Sequence, residues 1–398
     1  MIDHNKSKEK VVIVGVFENQ IIGLEDLDEL GFLVETAGGK VVAKLTQRML
    51  HPDPRYIIGK GKLNELKNIV KRQNADTVVF DNDLKPSQVR NLSQKLPECK
   101  ILDRSGLILD IFASRAHTAE AKVQVNLAQL EYLLPRLSGM WEHLERQRGG
   151  IGMRGPGEKQ IESDKRVIQK RITELKKKLE KLEKQRKTRR SRRFSQKRVA
   201  LIGYTNAGKS TLLNKLTGAD AYVEDKLFAT LDPTTRRLVD SKGFISEEQS
   251  TLLLTDTVGF IKKLPHDLIE SFKSTLGEAK ESDLLMIVAD ISHEALVEHI
   301  ETVSNILKEL KLDKKESILV LNKADRLSKD DVKSIRRKFP FAITVSAKTG
   351  EGLGYLESKL FEILVDGVKV NLSNEYIDKL IYSGEIDEAV ESDSSLSK

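Results

Sequence analysis

The spacing of hydrophobic residues changes along the chain and divides the sequence into regions. In residues 1–115, short apolar runs alternate with stretches in which apolar residues recur every three or four positions. Val11–Val16 is one such run, and Leu24–Val34 carries leucines at three-residue steps. Because short buried runs predict strands and the longer period predicts helices, we expect a small α/β domain with a mostly parallel sheet.

Residues 116–196 have a different period, which is typical of paired helices. Apolar residues step by four and three through Val123–Leu144, with Pro135 inside the series, and again through Ile168–Leu182. Two such heptad seams predict an antiparallel helical hairpin. The proline is expected to kink the first helix.

A glycine-rich segment, Arg148–Glu158, separates the two seams. Five glycines within nine residues do not form a packed element, and ordering them costs conformational entropy. A loop that orders against RNA is one interpretation and a flexible connector is the other, and the spacing does not choose between them. The residues assigned to RNA under the first interpretation are Arg148, Gly149, Gly150, Gly152, Arg154, Gly155 and Gly157.

The net charge of +7 is concentrated around the second seam. Residues 165–198 hold 17 Lys and Arg against three Glu, a surplus of 14 positive charges, so the rest of the chain carries −7. This concentration predicts a polyanionic partner, since each phosphate contact releases counterions. A solvated basic helix face is the alternative, although the surplus exceeds what ion pairing along a helix uses.

The remaining composition limits the class of protein. The chain has 398 residues, of which 39% are hydrophobic and 32% charged, and no window approaches 18 uncharged apolar residues. Its start lacks the apolar stretch of a signal peptide. The single cysteine, Cys99, excludes an internal disulfide and a cysteine zinc site. We therefore expect a cytoplasmic protein with no membrane span, and a monomer is the simplest oligomeric state.

The next region, residues 197–366, begins with a phosphate-binding loop. Gly203–Ser210 reads G-x-x-x-x-G-K-S and lies between the apolar run Val199–Ile202 and a helix-forming stretch. Strand, loop and helix are the context that this motif requires. The loop N–H groups can cradle phosphate, Lys209 can reach the outer phosphates, and Ser210 can bind Mg²⁺.

Four further motifs follow at the ends of predicted strands. A threonine in Phe228–Thr235 can complete the coordination of Mg²⁺, and spacing alone does not say which one. In Asp256–Gly259 the carboxylate can hold the metal through water, and the glycine N–H can approach the γ-phosphate. Asn322–Asp325 reads N-K-x-D, and the carboxylate of Asp325 can accept two N–H bonds that guanine offers and adenine does not. Ser346–Lys348 can contact guanine O6, so the set predicts a guanine-nucleotide site.

The sequence identifies residues for nucleotide binding more completely than residues for catalysis. Phe260 stands where many small GTPases have a glutamine that orients the attacking water, and a phenylalanine side chain cannot hydrogen-bond to water. Arg236, Arg237 or His266 could supply the missing group, but nothing selects among them, so the catalytic residue is left unassigned. We expect slow intrinsic hydrolysis and a partner that accelerates it.

On these motifs the chain resembles the HflX family of translational GTPases from about residue 10 to residue 366. The glycine-rich Arg148–Glu158 segment between two helices is the most specific part of the resemblance, and Phe228–Asp232 and Asp256–Phe260 also match. The resemblance implies an N-terminal α/β domain, a helical hairpin, a GTPase domain and a short C-terminal extension. It further implies binding to the large ribosomal subunit, and splitting or rescue of stalled ribosomes under stress.

The resemblance also implies roles for individual residues. It favours Thr230 as the Mg²⁺ ligand beside Ser210, and it favours contact between the glycine-rich segment and ribosomal RNA near the peptidyl transferase centre. The residues expected to contact GTP and GDP are Gly203, Tyr204, Thr205, Asn206, Ala207, Gly208, Lys209, Ser210, Phe228, Ala229, Thr230, Leu231, Asp232, Asp256, Thr257, Val258, Gly259, Asn322, Lys323, Ala324, Asp325, Ser346, Ala347 and Lys348.

Two other functions remain open at this point. A guanine-nucleotide-sensing ribosome assembly or RNA-binding factor with little turnover would also suit Phe260. An ATP-driven RNA remodeller would act through the N-terminal domain, where Gly59–Lys62 is the only hint of a second phosphate site. That signal is weak, and a loop-to-helix turn with exposed lysines is the better explanation of the motif.

Four regions are therefore predicted in all. They are an N-terminal α/β domain at residues 1–115, a helical hairpin with its glycine-rich loop at 116–196, a phosphate-loop GTPase domain with a mostly parallel sheet at 197–366, and a C-terminal extension at 367–398. The acidic, serine-rich end of the extension is predicted to be disordered.

Overall fold

The chain forms two compact units, each built around its own sheet. The computed structural model describes residues 8–17, 20–137, 156–190, 196–218, 227–228, 232–239, 251–263 and 277–368. Among these, residues up to Arg186 form the first unit and residues from Lys187 onward form the second. Both units combine helices with parallel strands, which confirms the predicted α/β class.

The elements are numbered in chain order. The strands are β1 (Lys10–Phe17), β2 (Lys40–Arg48), β3 (Thr77–Phe80), β4 (Lys100–Asp103), β5 (Arg198–Gly203), β6 (Thr234–Val239), β7 (Thr251–Asp256), β8 (Leu284–Asp290), β9 (Ser317–Asn322) and β10 (Ile343–Thr344). The helices are α1 (Gln20–Thr36), α2 (Lys60–Gln73), α3 (Pro86–Lys95), α4 (Arg104–Arg115), α5 (Ala119–Leu133), α6 (Pro156–Arg190), α7 (Lys209–Thr217), α8 (Gly277–Glu281), α9 (Leu296–Glu309), α10 (Lys329–Lys338) and α11 (Leu353–Leu364). Short 3-10 helices lie at Leu134–Arg136 and Ala324–Arg326.

The first sheet is parallel throughout, with strand order β2-β1-β3-β4. Its central strands are near-continuous apolar runs because crossover helices cover them, and Val12, Ile13 and Val14 are fully buried. Leu66 of α2 and Leu92 of α3 belong to the same core cluster. Strand β1 and helix α1 contain the segments Val11–Val16 and Leu24–Val34, for which the sequence predicts a strand and a helix.

A buried charge network lies where β3 and β4 end. Arg104 pairs with Asp81 at 2.6 Å and also with a glutamate of α1. Asp103 accepts hydrogen bonds from the Tyr132 hydroxyl at 2.7 Å and from Arg136 at 3.0 Å. Tyr132 lies at the end of α5 and Arg136 lies in the 3-10 turn that follows it. The network therefore anchors α5, the first helix of the hairpin, to the sheet.

The two predicted seams pack against each other. Val123 and Leu127 of α5 form one buried cluster with Ile172 and Leu175 of α6. Pro135 lies in the 3-10 turn that follows α5, as its missing N–H and fixed φ favour at a helix end. The pairing of the seams is therefore confirmed for the residues that the structure describes.

The glycine-rich loop is shorter at its C-terminal end than the sequence suggested. Helix α6 begins at Pro156, so Gly157 and Glu158 are helical and not part of a loop. Proline suits the first helical turn because its φ is already helical and its missing N–H needs no partner there. The other proposed RNA-contacting residues, within 148–155, lie outside the described ranges, as do residues 369–398 of the extension.

The second sheet has strand order β10-β9-β8-β5-β7-β6, in which β6 alone runs antiparallel to its neighbour. Sequence reasoning missed β6. Its residues are mostly exposed and only Leu238 is buried, so it lacks the apolar run that revealed the other strands. Its position at the sheet edge explains this composition. No helix in the described ranges is long and apolar enough to span a membrane.

Candidate functional site

Four predicted motifs meet at one edge of the second sheet. Gly203–Ser210 follows β5, Asp256–Gly259 ends β7, Asn322–Asp325 ends β9, and Ser346–Lys348 follows β10. Because these strands are parallel, their carboxyl ends lie at the same edge, where open α/β sheets bind ligands. Side-chain hydrogen bonds join the motifs to one another, as described next.

Two glycines of the phosphate loop have no room for a side chain. A Cβ on Gly208 would lie 2.4 Å from Nδ2 of Asn322, and its φ of +87° is in the left-handed region. A Cβ on Gly203 would lie 2.1 Å from the carbonyl oxygen of Val288. The loop therefore packs its backbone against β8 and β9, and α7 begins directly after it at Lys209.

The Lys209 ammonium lies inside the curve of the loop. Nζ donates to the carbonyl oxygens of Gly203 at 3.1 Å and Tyr204 at 2.8 Å. Burial lowers the pKa of Lys209 to about 8, with Asp256 opposing the shift and Lys323 adding to it. The motif thus encloses a buried cation among backbone N–H groups and a helix N-terminus, a combination that suits a polyphosphate.

Hard oxygen ligands for Mg²⁺ stand beside the loop. The Ser210 hydroxyl donates to Oδ2 of Asp256 at 2.5 Å, so a hydroxyl and a carboxylate lie side by side. These are the ligand types that Mg²⁺ prefers, and the described donor set therefore fits the ion. Thr205 adds a buried hydroxyl that has no hydrogen-bond partner in the described part of the chain. The Thr257 hydroxyl donates to the Leu201 carbonyl at 2.6 Å, and the contact of Thr257 with nucleotide stays a prediction.

Asn322 joins the phosphate loop to the loop after β10. Its Nδ2 donates to the Ala207 carbonyl at 3.0 Å, and its Oδ1 accepts from the Ala347 N–H at 3.0 Å. The side chain is fully buried, with 1% of its surface exposed. Its side chain therefore holds the two loops in register.

The carboxylate of Asp325 is held by a buried serine. The Ser346 hydroxyl donates to Oδ1 of Asp325 at 2.6 Å, and the Ala324 N–H donates to the Val345 carbonyl at 3.2 Å. Two motifs that the sequence places 21 residues apart thus form one surface. The arrangement has the acceptor that guanine N1–H and N2–H require.

Comparisons with known proteins agree with this geometry. Three family profiles match the chain in succession: a GTP-binding GTPase N-terminal region at residues 24–113, a GTP-binding GTPase middle region at 115–193, and a 50S ribosome-binding GTPase at 198–323. GTPase HflX of Flavobacterium psychrophilum is 52% identical over 329 residues, covering 80% of this chain and 76% of its own. GTPase HflX of Escherichia coli is 44% identical over 378 residues, covering 92% and 85%.

This chain belongs to the HflX family of GTPases. Among solved structures, a GTP-binding protein from Sulfolobus solfataricus in complex with GDP is 26% identical and matches 90% of this chain and 100% of its own, with a TM-score of 0.46. As a member of the HflX family, the protein binds guanine nucleotide and hydrolyses GTP. The resemblance read from the sequence motifs is thereby confirmed.

In this HflX-family protein, Phe260 has a buried side chain and a backbone that is hydrogen-bonded to the phosphate loop. The ring is buried, with 3% of the residue exposed. Its backbone pairs with the phosphate loop, since the Phe260 N–H donates to the Gly203 carbonyl at 3.0 Å and the Phe260 carbonyl accepts from the Thr205 N–H at 2.7 Å. The position that carries a water-orienting glutamine elsewhere is here a structural link between two motifs.

Several predicted site residues lie outside the described ranges. Ala229, Thr230 and Leu231 are not described, and neither is His266. Phe228 is buried with a φ of +55°. The alternatives Arg236 and Arg237 are exposed on the antiparallel edge strand β6.

Sequence reasoning missed Asp290, which supports the base-binding loop. Its carboxylate pairs with the Lys323 ammonium at 2.8 Å and accepts from the Ser292 hydroxyl at 2.6 Å. Burial opposes ionisation of Asp290, but the hydrogen bonds from Lys323 and Ser292 outweigh it and lower the pKa. The ion pair stabilises Lys323 in a left-handed conformation, with a φ of +67°. The available signal was an aspartate at the carboxyl end of a buried strand.

Proposed function

We propose that this protein is a cytoplasmic GTPase that binds the large ribosomal subunit and hydrolyses GTP to GDP and phosphate when the ribosome stimulates it. We further propose that it acts as a monomer and splits or rescues stalled ribosomes. Support comes from the HflX relatives, from the family profile for 50S ribosome-binding GTPases, and from the basic segment.

In this proposal the phosphate loop holds the phosphates of GTP and Asp325 selects guanine. Lys209 supplies the buried charge for the outer phosphates, and Gly259 supplies an N–H for the γ-phosphate. Ser210, Asp256 and Thr230 would hold Mg²⁺ through their hydroxyl and carboxylate oxygens. When bound, Mg²⁺ neutralises the charge on the phosphates.

The proposal that GTP hydrolysis depends on the ribosome is based on the burial of Phe260. Its ring cannot orient water, and its backbone is committed to the phosphate loop. The next residue along the chain, Ile261, is also apolar, so no glutamine follows Gly259 here. Hydrolysis by this chain alone should therefore be slow, and a bound partner that contributes or orders a group near the γ-phosphate would accelerate it.

Helix α6 supports a polyanionic partner. Its apolar stripe, including Ile172 and Leu175, is buried against α5, while Lys170, Lys177 and Lys181 are exposed on the remaining surface. Charges displayed in this way gain binding free energy from ribosomal RNA through counterion release. The glycine-rich segment that precedes the helix would enter the RNA, with its arginines as contacts.

The test is GTP turnover measured with no ribosomal particles, with purified small subunits, and with purified large subunits. We expect large subunits to accelerate phosphate release by at least about tenfold, a barrier change of about 1.4 kcal/mol. Equal GTP turnover in all three samples would contradict the proposal. Replacing Gly149, Gly150 and Gly152 with alanine should remove the acceleration while leaving GDP affinity unchanged.

The burial of Phe260 also favours a second candidate, a guanine-nucleotide sensor in ribosome assembly with little turnover. This protein would bind ribosomal particles in a nucleotide-dependent way without catalytic acceleration. Sedimentation with large subunits in GTP and in GDP, run beside the turnover assay, separates the two. Nucleotide-dependent binding with unchanged turnover selects the sensor.

A further inference from the structure

A cluster of side chains joins the phosphate loop to the segment after Gly259 and to helix α9. The proposed mechanism assigns no role to α9. The ring of Tyr204, in the phosphate loop, stacks on the His299 ring of α9 at a centroid distance of 3.7 Å and an interplanar angle of 8°. The Tyr204 hydroxyl accepts a hydrogen bond from the Lys262 N–H at 2.9 Å. The Lys262 ammonium pairs with Glu298, also of α9, at 2.5 Å. We refer to Tyr204, Lys262, Glu298 and His299 as the clasp.

One residue of the clasp, Lys262, lies three positions after Gly259, the glycine assigned to the γ-phosphate. A Cβ on Gly259 would lie 2.9 Å from Cα of Thr205 and 3.0 Å from Nζ of Lys209, so its backbone rests on the phosphate loop. Phe260 continues this contact through its two backbone hydrogen bonds. Lys262, two residues after Phe260, is bound to the phosphate loop through Tyr204 and to α9 through Glu298.

We propose that the clasp positions Gly259 for GTP hydrolysis, with Tyr204, Glu298 and His299 acting as positioning residues for the segment that follows it. A donor placed where charge develops in the transition state contributes to rate only while its position is held. The clasp supplies that restraint from α9, outside the nucleotide contacts. The inference rests on the proposed assignment of Gly259 to the γ-phosphate.

The state of the His299 ring provides an independent readout. Burial, together with the neighbouring His293 and the positive charge of Lys262, lowers the pKa of His299 to about 3, while Asp290 opposes the shift. His293 packs at 4.3 Å from the His299 ring, and Glu298 lies beside it in the sequence. The stacked ring is therefore neutral near pH 7, and a ring released from the stack regains a pKa near about 6.5. Protonation below that pH favours the open clasp.

Steady-state GTP turnover and GDP affinity of three variants test the proposal. Tyr204→Phe keeps the stack and loses the hydroxyl acceptor, and Glu298→Gln loses the ion pair. We expect kcat to fall about threefold to tenfold for Tyr204→Phe and about twofold for Glu298→Gln, with KM and GDP affinity within about twofold of the parent protein. Glu301→Gln, on the same helix, is the matched control and should leave kcat unchanged.

His299→Phe separates positioning from general structural support. It retains a stacked ring that cannot be protonated. Between pH 7.5 and 5.5, the kcat of the parent protein should fall by up to about tenfold more than that of this variant, since the window extends about one unit below the free imidazole pKa. Parallel pH profiles would overturn the proposal.

Two further outcomes would also overturn it. Unchanged kcat in both Tyr204→Phe and Glu298→Gln would show that the clasp does not act on hydrolysis. Equal losses of kcat and GDP affinity would show that it only supports the fold of the site. Gly259→Ala tests the underlying assignment separately: normal turnover in that variant would refute the γ-phosphate role of Gly259, whatever the clasp variants do.

Discussion

Replacing Asn322 with alanine removes the side chain that joins the phosphate loop to the loop after β10. Its amide makes two hydrogen bonds of 3.0 Å, to the Ala207 carbonyl and from the Ala347 N–H, and the residue is 1% exposed. Truncation leaves a buried carbonyl and a buried N–H without their partners. It also removes the group against which Gly208 packs, since a Cβ on Gly208 would lie 2.4 Å from the amide.

The magnitude follows from these two bonds. A net contribution of about 1 kcal/mol for each hydrogen bond gives about 2 kcal/mol, and a full desolvation penalty of about 1–3 kcal/mol for each orphaned group sets an upper bound of about 6 kcal/mol. Water can enter the space left by the amide at the edge of the sheet, so the lower value applies. Because both loops contact the nucleotide in our proposal, we expect GTP and GDP affinity each to fall about 30-fold.

The assay is equilibrium titration with a fluorescent GDP analogue and with a slowly hydrolysed GTP analogue, combined with urea unfolding of the nucleotide-free protein. Asn305→Ala is the matched control, because Asn305 is exposed on α9. A loss of affinity below about threefold, or a loss confined to one of the two nucleotides, would refute the view that Asn322 sets the distance between the loops.

Three other substitutions test single groups of the site. Asp325→Asn should reduce the preference for GDP over ADP by at least about tenfold in competition titrations, and unchanged discrimination would count against its role. Asp290→Asn removes the carboxylate that holds Lys323, so GDP affinity should fall about tenfold while kcat at saturating GTP stays within about twofold; an unchanged affinity contradicts this. Because burial lowers the pKa of Lys209 to about 8, its charge is present below that pH and lost above it. GDP affinity should therefore decline up to about tenfold from pH 8 to pH 9, and not in Lys209→Arg, whose side chain stays charged; matching profiles would exclude this explanation.

Much of the fold was predictable because its signals are local. Buried strands such as Val11–Val16 are short apolar runs between turn residues, and the seams of the hairpin follow heptad spacing. Where a signal was weak, the prediction failed. Strand β6 presents mostly exposed residues at a sheet edge, and the start of α6 at Pro156 was hidden by the glycines around it.

The motifs of the site were predictable for the same reason. Each occupies a few consecutive residues at the end of a strand, and the parallel sheet then brings the strand ends together. Residues that support the motifs from elsewhere were not found. Asp290 and His299 each stand alone in the sequence, without a spacing that links them to Lys323 or Tyr204.

The sequence by itself determined which chemical groups this protein carries: a phosphate loop, an N-K-x-D motif, a phenylalanine in place of glutamine, and a basic helix. Tertiary structure alone decided how these groups are held. The Asn322 amide reaches a carbonyl 115 residues away, and the Tyr204 ring lies on a histidine of another element. Such contacts depend on sheet order and helix packing, which bring together residues that no local pattern connects.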